Sequence, residues 1–128
     1  MDIIEIRHYL HQHPELSGQE TNTMQTIADF LKPLKPDILE THVAGCNGLT
    51  AVFYGENRNK SVAFRADIDA LPIEEDADLQ YKSYNKGVAH KCGHDGHTAI
   101  LLDFARKIAF KSEPPHPRKV TKKNGAPF

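Results

Sequence analysis

The far end of the chain sets the limit on what it can fold into. Residues 111–128 carry Lys111, Arg118, Lys119, Lys122 and Lys123 against one acid, Glu113, with Pro114, Pro115, Pro117 and Pro127 and almost nothing apolar. Such a stretch buries too little apolar surface to offset the entropy of ordering it. The sequence therefore predicts a disordered, basic, Pro-rich tail and confines the folded part to residues 1–110, enough for one domain with a real core. The tail is formally +4 and the first 110 residues −5, leaving −1 on the whole chain. That balance gives no electrostatic reason to expect nucleic acid or an anionic membrane as partner. No apolar run approaches the roughly 18 residues of a membrane-spanning helix. The start, Met1-Asp2-Ile3-Ile4-Glu5, has neither the basic residues nor the long apolar stretch of a signal peptide. With Cys46 and Cys92 read as reduced thiols, the expected compartment is the cytoplasm.

Within the first 110 residues the apolar period changes twice. Ile3, Ile6 and Leu10 lie on one side of a helix over 2–12, which Pro14 ends. Ser17-Gly18-Gln19-Glu20 has the form of a capping box. It would open a second helix with Met24, Ile27, Ala28 and Leu31 on its inner face, stopped by Pro33 and Pro36. Three β-prone runs follow at 38–43, 49–54 and 62–66, broken by Gly45, by Asn47-Gly48 (which suits a tight turn) and by the polar loop 55–60. A third helix is expected over about 97–110. Helices, then strands, then a helix predict an α/β fold in which a mixed sheet is flanked by helices.

The chemistry concentrates in one octapeptide, His90-Lys91-Cys92-Gly93-His94-Asp95-Gly96-His97. Neutral imidazole and thiolate are the natural ligands of zinc-like ions, and a carboxylate can ligate or orient a ligand. The ordinary reading of a single His is a polar surface or core residue; five potential ligands in eight positions point instead to a metal. A closed structural zinc site would show two ligand pairs separated by a longer loop, and only one cluster is present. If His90, Cys92 and His94 ran extended, their side chains would share one face. The apolar run from Thr98 places the cluster at a loop-to-helix junction.

A second candidate lies at the end of the third β-prone run, Arg65-Ala66-Asp67-Ile68-Asp69-Ala70-Leu71-Pro72. Strand ends in open α/β sheets are common ligand sites. A carboxylate there could orient a metal-bound imidazole, although Asp-x-Asp before Pro is also an ordinary loop entry. Glu74, Glu75, Asp76 and Asp78 read as a solvated charge run.

Three blocks, in order, resemble the M20 metallopeptidase superfamily in its amidohydrolase branch. They are Arg7-His8-Tyr9-Leu10-His11-Gln12-His13-Pro14-Glu15-Leu16 with Glu20, then Phe64 to Glu74, then His90 to Ala99. The resemblance covers roughly residues 3–110. Lys91 departs from it, since a small residue usually stands at that position. The resemblance implies the N-terminal part of a zinc-aminopeptidase-like catalytic domain. It implies Cys92 and His94 as metal ligands, Asp67 as the acidic catalytic position near the metals, and two divalent ions in the complete site (Mn, Zn, Co or Ni). It also implies a small N-acyl amino acid as substrate. Arg65 stands where many relatives have a ligand histidine.

The same resemblance shows what these residues do not contain. The family's Glu-Glu pair, which carries the general base and a further ligand, has no counterpart after residue 97, and the later ligand histidines and the dimerisation domain are missing. The change of composition near residue 110 reads as a frame shift or deletion join. The expectation is a partial amidohydrolase domain, inactive alone. The competing expectations are a non-catalytic metal-binding remnant and a small zinc-stabilised interaction module.

Overall fold

A computed structural model describes residues 1–57 and 59–112, with side chains described as far as Phe110. The expected tail, 111–128, therefore falls almost wholly outside the described residues. Helix α1 spans Ile3–Gln12, α2 Thr21–Leu31 and α3 His94–Ser112; β1 (Ile38–Thr41) and β2 (Leu49–Val52) form the one sheet among the described residues.

Each helix begins for a local reason. Asp2 caps α1 by accepting from the amides of Ile4 and Glu5, while the Glu5 carboxylate accepts from the Asp2 amide at 2.7 Å, a complete capping box. The helix ends at Gln12, just before the residue that Pro14 bars from helical geometry. The capping box expected at Ser17–Glu20 does not form. Gly18 turns the chain through a left-handed conformation (φ +81°), and Glu20 precedes α2 without any side-chain cap bond. Glu15 does the capping from further back: its carboxylate accepts from the Thr23 amide at 2.8 Å and the Asn22 amide at 3.3 Å. A carboxylate suits this place because the first amides of a helix point outward unpaired.

The apolar stripes meet where the periodicity directs them. Ile6 and Leu10 of α1, Ile27 and Leu31 of α2, and Ala99 and Leu102 of α3 form the buried core. Met24 and Ala28 are also buried, so the inner face expected for α2 is the observed one. The hairpin lays Leu39, Leu49 and Ala51 against this core. Its antiparallel register pairs Ile38 with Val52 and Thr41 with Leu49.

The sheet is smaller than expected. The link between β1 and β2 runs over residues 42–48, not through a two-residue Asn47-Gly48 turn; His42, Ala44 and Gly45 all have positive φ, and the Val43 amide closes onto the Gly48 carbonyl at 3.2 Å. The run 62–66 forms no strand. Val62 and Phe64 are exposed, and this run finds no ladder partner among the described residues. A β-prone sequence becomes a strand only when a neighbour takes up its backbone groups. In place of a mixed sheet there are two isolated bridges, Leu16 to Ala70 (parallel) and Leu71 to Ala89 (antiparallel). They seat residues 69–71 between the α1–α2 link and the segment leading to α3. This is what brings Asp69 to the octapeptide.

Candidate metal centre

The octapeptide does sit at a loop-to-helix junction, but it does not run extended. Lys91 and Cys92 form a turn, Gly93 has φ +76°, and α3 starts at His94, three residues before the start expected near residue 97. The left-handed Gly93 lets the chain reverse from the turn into the helix, a conformation that a Cβ would penalise. Its carbonyl accepts the His97 amide at 3.0 Å, the first hydrogen bond of α3. Because of this turn His90, Cys92 and His94 do not share a face. The His90 ring is buried, the Cys92 thiol exposed and His94 half-buried.

His94 is the better prepared of the two expected ligands. Its Nδ1 lies 2.9 Å from both the backbone carbonyl and the carboxylate Oδ1 of Asp69. Both are acceptors, so Nδ1 carries a proton, and in the neutral ring the lone pair is then on Nε2. A carbonyl or carboxylate holding the second nitrogen is the usual support of a metal-bound imidazole. Asp67, the expected acidic catalytic position, makes neither of these bonds. Its carboxylate takes the Arg65 guanidinium at 2.7 Å, and its carbonyl accepts the Thr98 hydroxyl at 3.1 Å. Among the described residues no three His, Cys, Asp or Glu side chains converge as a group able to hold an ion. The Cys92 thiol is exposed, and the Asp69 contacts of His94 occupy Nδ1 and not Nε2. No further donors join these two side chains among the described residues.

Beneath the turn lies a buried ionic cluster that the sequence does not announce. His11, near the end of α1, places Nδ1 2.8 Å from Asp95 Oδ2 and Nε2 2.9 Å from Glu75 Oε1. Both carboxylates are buried, so Glu75 is not part of a solvated charge run as its acidic neighbours suggest. Arg7 Nε adds a contact to Asp95 at 3.3 Å, the Ser83 amide donates to Glu75 at 2.7 Å, and Lys91 Nζ stands 3.6 Å from Glu75. Burial opposes the charge on Asp95, but the His11 hydrogen bond and the Gly96 amide outweigh it and hold the carboxyl below its usual range. Burial likewise opposes the charge on Glu75, and the Ser83 amide and His11 overcome it. Both His11 nitrogens thus face carboxylate oxygens. His90 lies beside this cluster, its ring 6.3 Å from that of His11, with neither ring nitrogen hydrogen-bonded. Burial pushes its pKa down, against the pull of Asp95. One sequence signal points to His11: it stands four residues after Arg7 and beside Leu10, at the edge of the buried stripe of α1. Nothing comparable marks Glu75.

The profile of peptidase family M20/M25/M40 matches residues 63–121, the segment that contains Asp67, Asp69 and the whole octapeptide. Thermostable carboxypeptidase 1 of Saccharolobus solfataricus is 46% identical over 103 residues, which are 80% of this chain and 26% of that protein. An N-acyl-L-amino acid amidohydrolase of Geobacillus stearothermophilus is 44% identical over 105 residues, 82% of this chain and 28% of the relative. Among solved structures, a dinuclear metal-binding peptidase of the M20 family from Bacillus subtilis superposes with a TM-score of 0.79 at 38% identity, over 85% of this chain and 30% of that one. The fold is that of part of an M20 catalytic domain. The chain belongs to the M20 peptidase and amidohydrolase family, whose members are amide-bond hydrolases and include dinuclear metal proteins. It spans about a quarter of the length of the curated relatives it matches.

Proposed function

We propose that these residues are the opening part of the catalytic domain of a metal-dependent amidohydrolase acting on N-acyl amino acids, and that they contribute Cys92 and His94 as metal ligands. The observation that carries this reading is the Asp69–His94 pair, which leaves His94 Nε2 free at the start of α3, two residues after an exposed thiol. A bound divalent ion would polarise the amide carbonyl and acidify water. Around it, Asp69 orients the His94 imidazole, and Asp67 stays in the loop where an acidic group could meet the substrate side of the centre. No Glu-Glu pair follows residue 97, so the general base, generally worth about 10²–10⁴-fold in rate, is not supplied by these 128 residues.

Two measurements test the reading together. Titration with Co²⁺ should give a thiolate-to-cobalt charge-transfer band of modest affinity, lost in Cys92→Ser and weakened in His94→Ala; equal binding by all three proteins refutes the assignment. Hydrolysis of N-acetyl and N-benzoyl amino acids with added Mn²⁺, Co²⁺ or Zn²⁺ should be negligible. Turnover that disappears in Cys92→Ala would show that a working site is complete within this chain. A second reading is metal capture without catalysis, which needs only the exposed Cys92 thiol and His94. It is separated from the first by joining these residues to the remainder of a related amidohydrolase: restored turnover supports the enzyme.

A further inference from the structure

We infer that His11 is a positioning residue for the metal-ligand turn, clamping both flanks of Cys92-Gly93-His94 to α1 through the buried acids Asp95 and Glu75. The inference rests on Cys92 and His94 being ligands, but the clamp itself stands on the geometry beneath them. Asp95 follows His94 directly, and His11 Nδ1 holds it at 2.8 Å. Lys91 precedes Cys92 directly, and its ammonium meets Glu75, the acid held by His11 Nε2 at 2.9 Å. One imidazole therefore holds one end of the turn directly through Asp95, 84 residues away in sequence, and the other indirectly through Glu75, 64 residues away, and Lys91. Glu75 is also fixed from its other oxygen by the Ser83 amide, so it is a firm anchor and not a loose surface acid.

The two arms differ in strength. The His11–Asp95 arm is short and buried on both sides. Lys91 lies 3.6 Å from its acid and keeps about a third of its side chain in water (34%), so solvent screens that arm. The clamp on the His94 side dominates. Hydrogen bonds that support a ligand from outside the metal shell typically change metal affinity by about 10–100-fold when they are lost.

Simple space-filling by His11 makes a different prediction from hydrogen bonding by His11. In His11→Gln the amide can donate to Asp95, but its oxygen then faces the Glu75 carboxylate and two acceptors oppose each other. Adding Glu75→Gln turns that acid into a donor toward the amide oxygen introduced at position 11, while its remaining oxygen still accepts from Ser83. The double variant thus restores a complete chain of bonds in which the volume at position 11 is the same as in the single variant.

The test compares the wild-type full chain, His11→Gln, His11→Gln/Glu75→Gln, Lys91→Ala and Cys92→Ser. Co²⁺ affinity is read from the thiolate charge-transfer band, and amide hydrogen exchange is read over residues 90–96. We expect His11→Gln to weaken Co²⁺ binding at least tenfold and to speed exchange in the turn, the double variant to recover most of both, and Lys91→Ala to change affinity less than threefold. Wild-type affinity and exchange in His11→Gln would overturn the clamp. So would a double variant as weak as the single one, since that pattern means packing alone. Should His11→Gln fail to fold, the double variant decides: folded and binding supports the clamp, unfolded or weak refutes it. If Cys92→Ser keeps the cobalt band, the ligand reading fails by itself, and exchange over 90–96 still decides the role of His11.

Discussion

Replacing Glu15 by Gln should destabilise the fold by about 1 kcal/mol at neutral pH, whereas Ser17→Ala should have almost no effect. The wild-type carboxylate accepts from the Thr23 amide (2.8 Å), the Asn22 amide (3.3 Å) and the Asn22 side chain (2.8 Å), all at the open start of α2. Gln keeps the shape and one oxygen but loses the charge, and its NH₂ faces donors. Losing a cap usually costs about 0.5–2 kcal/mol. The middle of that range applies because Glu15 is only half-buried, and solvent screens its charge. For a domain of this size, about 1 kcal/mol corresponds to roughly 4–8 °C in Tm. The pH dependence identifies the charge as the cause. Burial opposes ionisation of Glu15, but hydrogen bonds from Thr23 and Asn22 outweigh it and hold its pKa below the usual carboxylate value. A carboxylate depressed in the folded state adds stability above its unfolded pKa of about 4.3 and loses it as the pH falls through the lower folded value. Urea unfolding of both proteins should therefore show the full gap at pH 7, narrowing below about pH 4. A gap independent of pH would refute the charge argument. A Ser17→Ala loss equal to that of Glu15→Gln would refute the cap assignment.

Two further outcomes follow from the core and from the ligand support. Leu10→Ala opens a cavity among Ile6, Ile27, Leu31, Ala99 and Leu102 and should remove about 2–5 kcal/mol, read as a lower urea midpoint at unchanged m-value; a loss under about 1 kcal/mol would mean that α1 does not pack there. Asp69→Asn leaves the Asp69 carbonyl as an acceptor for His94 Nδ1, so Co²⁺ affinity should fall only about tenfold, the low end for a supporting partner. Unchanged affinity would show that the side chain does not orient the imidazole.

What can be read from the sequence, and what cannot, divides by the reach of the interaction. The inner face of α2 follows from Met24, Ile27, Ala28 and Leu31 alone, because a helical stripe is a local pattern. The end of α1 before Pro14 and the loop-to-helix junction are local in the same sense, as is the concentration of potential ligands at 90–97. The cap of α2 misleads because Ser17 and Glu20 have the right spacing, yet Gly18 takes the backbone out of the geometry that spacing requires. The run 62–66 has strand propensity, but a strand is a property of two segments, and none of the described residues supplies the second one. The ionic cluster is hidden for the strongest form of this reason. Glu75 sits among Glu74, Asp76 and Asp78, and only the fold selects which acid in that run faces His11.

Burying two carboxylates around one imidazole is a poor way to gain stability, because desolvation offsets most of what such pairs return, and apolar residues of similar volume often serve a fold as well or better. What an ionic cluster supplies is a defined geometry, since donors and acceptors tolerate far less displacement than methyl groups do. Here the constrained atoms are those flanking the proposed ligand turn. Asp95 and Lys91 are held from below, while Asp69 holds His94 separately through Nδ1. The two supports act on different atoms of adjacent residues, so their losses should be close to additive in log affinity if they position the ligands independently. They should be less than additive if either one already frees the turn. A Co²⁺ double-mutant cycle over His11→Gln and Asp69→Asn separates these cases, and we expect a combined loss of about a hundredfold. A combined loss no larger than that of His11→Gln alone would mean that Asp69 acts only through a turn already held by α1.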